Sequence, residues 1–182
     1  MIFKPTIIED VVEIQPNVLE DNRGHFFEFY HKQRFFDAGI KCDFVQDNQS
    51  SSLKNVLRGL HFQKPPFAQA KLCRVLKGSV MDIAVDIRKN SPTFGKHIAI
   101  LLNDQMKNML FIPEGFAHGF ITLEDHTIFQ YKCSNYYNKE SEDCIVWNDL
   151  DLNINWPTKK PIVSEKDKIG KKFADFETPF FY

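Results

Sequence analysis

The stretch SVMDIAVDI, residues 79–87, decides the fold. Met81, Ile83, Val85 and Ile87 alternate with Val80, Asp82, Ala84 and Asp86. A period of two sends successive side chains to opposite faces, so the segment predicts a β-strand with one apolar and one partly polar face. Similar runs recur at FFEFY (26–30), KLCRVL (71–76), HIAILL (97–102), MLFI (109–112), GFIT (119–122) and TIFQYKC (127–133). NVLRGLHFQ (55–63) also suits a buried strand, apart from its arginine, histidine and glutamine. Turn signals at 21–24, 77–78, 90–92 and 113–115 separate these runs. Many short, regularly spaced strands predict an all-β sandwich or small barrel instead of a parallel α/β sheet. KQRFFDAG has helix-compatible spacing, and Gly39 is a natural stop.

A chain of 182 residues predicts one well-cored domain spanning 1–182. Lys and Arg total 23 against 24 Asp and Glu, so no global field favours nucleic acid or an anionic membrane. Any anionic ligand must then be gripped by locally placed cations. Cys42, Cys73, Cys133 and Cys144 form neither a CxxC pair nor a metal-ligand spacing, and read as reduced, small hydrophobes. The N-terminal MIFKPTIIEDVVEIQ is broken by Pro5, Glu9 and Asp10 before a signal-peptide core could form. No other stretch reaches membrane-spanning length, and the expectation is a soluble cytoplasmic protein. Beyond Cys144 the chain is rich in Asn, Asp, Pro and Lys yet keeps Trp147, Trp156 and several phenylalanines. Aromatics of that number predict an irregular segment folded back over the domain.

Polar groups on or beside apolar strands mark a ligand cavity, because buried charge is costly unless paired. The candidates are Arg23 and Glu28, Gln46-Asp47-Asn48, Arg58 and His61, Lys71, His118, Tyr131, and Glu165-Lys166-Asp167. Each alone has a plainer reading: His61 as a satisfied structural histidine, Lys71 and Arg58 on a solvated face, Tyr131 in the core, Asp167 on the surface. The set carries the argument. Pro113, Gly115 and His118 form a P-x-G-x-x-H arrangement that resembles the second motif of cupin barrels, where the histidine is commonly a metal ligand. His61, however, is followed by Phe62 and Gln63 and not by the His-x-His and glutamate of a metal-binding cupin. Two histidines without a carboxylate are a poor ligand set, so no catalytic metal is expected.

DNRGHFFEFY, FVQDNQSSSLKNVLRGLHFQ, AQAKLCRVLKGSVMDIAVDIRKNSPTFGKH, LFIPEGFAHGFITL, YKCSNYY, IVWNDLDLNINWP and SEKDK resemble, in order, the motifs of dTDP-4-dehydrorhamnose 3,5-epimerases. The resemblance runs from about residue 7 to 168. It implies a homodimeric, cofactor-free and metal-free cupin-type barrel (a double-stranded β-helix, or jelly roll, with a few short helices). Such an enzyme inverts two carbons of a nucleotide-linked 4-keto sugar for rhamnose or a related surface glycan. Carried over by position, His61 is the general base, Tyr131 the acid on the opposite ring face, and Asp167 the partner of His61. Lys71 and His118 line the sugar pocket. Arg23, Glu28, Gln46, Asp47, Asn48, Arg58, Glu142 and Lys166 contact the nucleotide diphosphate or sugar, and Tyr137 lies against the base.

The chemistry wants these residue types. A C4 ketone acidifies the hydrogens on C3 and C5, and imidazole is a base suited to neutral pH. Inversion needs a second donor across the ring, which a phenol supplies. A fixed ammonium stabilises the enolate more than the ketone. Guanidinium forks match phosphate oxygens. Leu19 stands where many family members carry an aromatic residue against thymine, so a GDP- or CDP-linked sugar, or a heptose, stays open as substrate. A 3,4-ketoisomerase and a non-catalytic nucleotide-sugar-binding cupin are the remaining alternatives.

Overall fold

Residues 79–87 become the strand next to the edge of one of two facing sheets, and the remaining runs assemble around them. The computed structural model describes residues 1–182. Its strands are β1 (Ile2–Pro5), β2 (Val12–Gln15), β3 (Val18–Asp21), β4 (Gly24–Phe27), β5 (Gln46–Ser52), β6 (Val56–Gln63) and β7 (Lys71–Lys77). They continue with β8 (Ser79–Asp86), β9 (His97–Asn103), β10 (Met109–Ile112), β11 (Phe116–Thr122), β12 (Thr127–Cys133), β13 (Glu142–Cys144) and β14 (Ile162–Val163). Helix α1 covers Lys32–Asp37 and α2 covers Glu165–Lys168. Gly39 stops α1 with a φ of 91°, as its lack of a Cβ allows.

One sheet runs β1-β2-β10-β7-β12-β5, and the facing sheet runs β13-β6-β11-β8-β9 with β14 added in parallel to β6. The paired strands of the two main sheets are otherwise antiparallel, and β3-β4 forms a separate hairpin. This is the all-β class the alternation predicts, in the jelly-roll form the family resemblance implies. Between the sheets, Cys73, Val75, Leu110 and Phe129 meet Val80, Ala84, Leu102 and Phe120. The outer face of the first sheet (Ile14, Leu72, Met109) is covered by Phe35 and Ile40 around α1. The outer face of the second (Leu60, Ile83, Val85, Ile87) is covered by Leu152, Phe176 and Phe180. The C-terminal segment thus folds back over the domain as its aromatics predict.

One expectation changes and two features go beyond the local pattern. On the partly polar face of β8, Asp82 and Asp86 are fully buried, because that face looks into the space between the sheets. FFEFY stays extended in the ladder only to Phe27; Phe29 and Tyr30 leave it to pack against the outer layer, with the Arg74 guanidinium 3.6 Å above the Phe29 ring. QDNQSSS, too polar for its alternation to register as a strand, is β5, fixed by its seven-residue register with β12.

Buried Asp86 is the clearest polar brace. It accepts from Arg88 Nη2 at 2.7 Å, Ser91 Oγ at 2.6 Å and Thr93 Oγ1 at 2.7 Å, tying the 88–95 turn to the sheet. Burial pushes its carboxyl upward, but the hydrogen bonds from Arg88, Ser91 and Thr93 outweigh that and hold it below the usual carboxylate range. A depressed folded-state pKa contributes stability above the unfolded value and loses it as pH falls through the folded one. Asp86→Asn is expected to destabilise the fold by about 2 kcal/mol at neutral pH, through loss of the charged acceptor shared by Arg88, Ser91 and Thr93, while Asp10 still pairs with Arg88 at 2.8 Å. Denaturant melts across pH should show the gap to wild type narrowing below about pH 4.

Candidate active site

Strands β6 and β11 approach unusually closely at two glycines. A Cβ on Gly59 would lie 2.5 Å from Gly119 Cα, and Gly59 has a φ of 149°. The sequences RGLH and AHGF therefore need glycine at both positions, and the register that results sets His118 opposite His61. On the facing sheet, β7 and β12 pair Cys133 with Lys71 and Tyr131 with Cys73. His61 from one sheet and Lys71 and Tyr131 from the other line one cavity of about 340 Å³. That volume suits a sugar-sized ligand. Gln46, Asn48, Tyr137 and Glu142 complete the predicted members of the wall, and Phe62, Gln63 and Gln69 join them.

Asp167 sits behind His61, 2.7 Å from its Nε2, in the first turn of α2. Ser164 caps that turn by accepting from the Asp167 backbone N–H at 3.2 Å, and the other Asp167 oxygen accepts from Gly59 N–H at 3.3 Å. The carboxyl is only 3% exposed. Burial pushes it upward, yet the His61 hydrogen bond and charge, with Gly59 and Ser164, hold it below the usual range. The imidazole is thus locked in one orientation by a carboxylate that stays ionised. Burial pushes the Tyr131 phenol up to about 12, so it remains protonated at neutral pH. Lys71, a residue 9% exposed, holds its ammonium 5.8 Å from the centre of the Tyr131 ring. No carboxylate oxygen pairs with it within 4.0 Å.

At the rim, Tyr137 Oη donates to Glu142 Oε2 at 2.9 Å, and Lys166 pairs with the same carboxylate. Gln46 Oε1 accepts from Tyr137 N–H at 2.9 Å. Buried Gln63 donates to Phe67 and Tyr136 carbonyls and accepts from Asn138 N–H, bracing the loop that carries Tyr137. Its glutamine stands in LHFQ, but only the fold reveals that it holds the 136–138 loop. Asp82 escaped notice for a similar reason, since local alternation does not show that a second sheet covers its face.

Other predicted residues lie elsewhere. His118 is buried behind the wall, with Nε2 2.6 Å from Asp82 Oδ1, and does not line the cavity. Asp47 alternates to the opposite face from Gln46 and Asn48 and pairs with Lys132 at 2.9 Å. Arg58 donates to Ser52 Oγ at 3.3 Å, near enough to Tyr131 for its charge to favour the phenolate. Arg23, with its side chain 86% exposed, pairs with Asp21 at 2.6 Å in the β3-β4 turn and lines a different cavity with Leu19 and Phe26. Glu28 pairs with Arg34 at 2.8 Å. The folded chain also changes the ligand inventory counted from sequence: Cys144 and Asp167 lie beside His61, and Cys73 and Asp82 beside His118.

The depth of Tyr131 makes a direct prediction. In ultraviolet titration, the wild-type minus Tyr131→Phe difference should show no phenolate signal at pH 10, where an exposed tyrosine is about half ionised. A midpoint near pH 10 for this phenol would contradict its placement.

The sequence profile of dTDP-4-dehydrorhamnose 3,5-epimerase matches residues 5–175. The chain is 51% identical over 171 residues to the Shigella flexneri dTDP-4-dehydrorhamnose 3,5-epimerase, covering 93% of this chain and 94% of that protein. It is 52% identical over 169 residues to the enzyme of that name from Salmonella typhimurium, covering 92% of each chain. The structure superposes with a TM-score of 0.95 and 41% identity on a dTDP-6-deoxy-D-glucose-3,5-epimerase from Legionella pneumophila in complex with dTDP-4-keto-L-rhamnose, covering 99% of this chain and 98% of the other. Sequence and fold agree along nearly the whole length: the chain belongs to the dTDP-4-dehydrorhamnose 3,5-epimerase family, of the isomerase class of enzymes.

Proposed function

We propose that residues 1–182 act as one cupin-type domain that inverts C3 and C5 of a dTDP-linked 4-keto-6-deoxy sugar, on the way to rhamnose or a related glycan sugar. The observation that supports it most is an oriented imidazole and a protonated phenol, from facing sheets, on one cavity beside an unpaired buried ammonium. His61 removes the proton alpha to the C4 ketone, and the Asp167 carboxylate stabilises the imidazolium that forms. Negative charge moves to the C4 oxygen, where the Lys71 ammonium stabilises it more than it stabilises the ketone. Tyr131 returns a proton to the opposite ring face, which inverts the carbon. Once His61 has released its proton to solvent and Tyr131 has regained one, the same cycle at the other carbon completes the double inversion, with no step that requires a redox cofactor.

Gln46, Asn48, Glu142, Lys166 and Tyr137 form the polar rim that receives the nucleotide diphosphate. Arg23 and Glu28 do not reach the cavity of their own chain, whereas the β3-β4 hairpin exposes Leu19 and Phe26 as an apolar cross-strand pair. A homodimer in which the hairpin serves the second copy accounts for both facts, and supplies a guanidinium and an apolar surface for the base. No helix is long and apolar enough to cross a membrane, and all four cysteines are free, which suits a cytoplasmic enzyme.

Incubation in deuterium oxide with dTDP- and GDP-linked 4-keto sugars tests the reading through NMR of the ring hydrogens. Exchange at both C3 and C5 of the dTDP sugar is expected. Exchange at C3 alone would make the protein a single-centre epimerase, faster turnover of the GDP sugar would reassign the base, and no exchange would remove the reading. His61→Ala and Tyr131→Phe, assayed separately, should each lower kcat by about 100-fold or more while the circular dichroism spectrum is unchanged. Full activity in both variants would refute the assigned roles.

A further inference from the structure

Each sheet sends one glutamine to the mouth of the cavity, and between them they hold both peptide bonds of Tyr137. The Tyr136–Tyr137 peptide accepts from Gln63 Nε2 at 3.1 Å through its carbonyl and donates its N–H to Gln46 Oε1 at 2.9 Å. The Tyr137–Asn138 peptide donates its N–H to Gln63 Oε1 at 2.7 Å. Gln63 Nε2 also donates to the Phe67 carbonyl at 2.7 Å. Both amide hydrogens and the amide oxygen of Gln63 are therefore engaged, and the flipped amide would set its oxygen against two carbonyls. Around this amide the 64–70 and 134–142 loops are zipped together. Lys64 N–H donates to the Ser141 carbonyl at 2.8 Å, Gln69 Nε2 to the Asn135 carbonyl at 2.7 Å, and Asn135 Nδ2 to the Pro66 carbonyl at 3.1 Å. Gln63 is 5% exposed, whereas Tyr137 is 55% exposed. Exposure of that degree gives packing little hold on the ring, so its backbone must supply it.

We propose that Gln63 is a positioning residue for the nucleotide end of the site: it acts through Tyr137, whose ring it holds in place for the nucleobase. This rests on the reading that the rim receives the nucleotide. His61 and Gln63 alternate to one face of β6 and line one cavity, about 7 Å apart along the strand. Glu142, which accepts from the Tyr137 hydroxyl, is the cross-strand partner of Gln63. One strand thus carries both the imidazole that acts on the sugar and the brace for the wall that meets the nucleobase, and backbone register sets the distance between them. A wall ordered before the ligand arrives loses less entropy on binding, and the difference appears as affinity. The nucleotide stays bound from substrate through transition state, so loss of the brace raises KM and leaves kcat.

The full chain is compared with Gln63→Met, Tyr137→Ala and the double variant. Methionine keeps the length of the side chain and removes all three hydrogen bonds. Without ligand, amide hydrogen exchange at Tyr137 and Asn138 should be about 10-fold faster or more in Gln63→Met. Its dTDP affinity in calorimetry should fall about 10-fold, and KM for the dTDP-linked 4-keto sugar should rise by a similar factor with kcat within about 3-fold. In the Tyr137→Ala background the same substitution should change dTDP affinity by less than about 2-fold, because its effect runs through that ring. Unchanged affinity in Gln63→Met, a fall in kcat as large as the fall in kcat/KM, or full additivity with Tyr137→Ala overturns the proposal alone. Failure of the wild type to bind dTDP, or full affinity in Tyr137→Ala, overturns the reading of the rim and the proposal with it. Should Gln63→Met fail to fold, Gln63→Glu, which keeps the acceptor for Asn138 and loses both donors, decides by the same measurements. Wild-type exchange at Tyr137 and Asn138 as fast as in an unstructured peptide overturns the proposal without any variant.

Discussion

The 2.7 Å contact between His61 and Asp167 is the constraint on which the rest of the site depends. It joins the middle of β6 to a one-turn helix 106 residues further along the chain. A carboxylate 3% exposed is tolerable only with partners, and here an imidazole, the Gly59 N–H and the Ser164 cap supply them together. The helix can reach β6 only because the preceding segment is held against the second sheet. Leu152 buries in that outer layer, Trp156 donates to the Trp147 carbonyl at 2.8 Å, and β14 adds to β6 beside it. Packing of an irregular, aromatic-rich segment is therefore what orients the imidazole.

The space between the sheets is graded from dry to polar. Phe120 and Phe129 stack with centroids 4.1 Å apart at the apolar end, among Val75, Val80 and Leu102. Tyr131 follows Phe129 by two residues on β12, packs against that cluster and lines the cavity. The apolar neighbours do two things at once. They fix the ring by packing, and by excluding water they keep the phenol protonated, the state a proton donor needs. Lys71, beside it, is buried without a counter-charge, an expensive arrangement in an empty site and a favourable one when an anionic oxygen arrives.

Much of this was legible in the residues. The period of two in 79–87 and its repeats announced an all-β sandwich or small barrel, because strand geometry puts neighbours on opposite faces whatever the rest of the chain does. The ordered motifs named the family and, through it, His61, Lys71, Tyr131 and Asp167. Less legible were strands whose side chains give no alternation of hydropathy: QDNQSSS pairs through its backbone with β12, and a polar strand leaves no apolar signature. Asp82 and Asp86 were equally hidden, since a strand covered on both faces needs a second layer that no local pattern reveals.

The sequence alone determined the β-rich class, the near balance of charge and the presence of a base, an acid and an ammonium, since these follow from local periodicity and side-chain chemistry. Tertiary structure alone decided which of those groups share a cavity. It set His61 and Tyr131 on facing sheets, turned Asp47 outward, and left Arg23 on a separate hairpin. It also placed Cys73 and Asp82 against His118. The physical reason is that strand pairing and sheet packing join residues remote in the chain, and proximity of that kind depends on register and burial that no short stretch encodes.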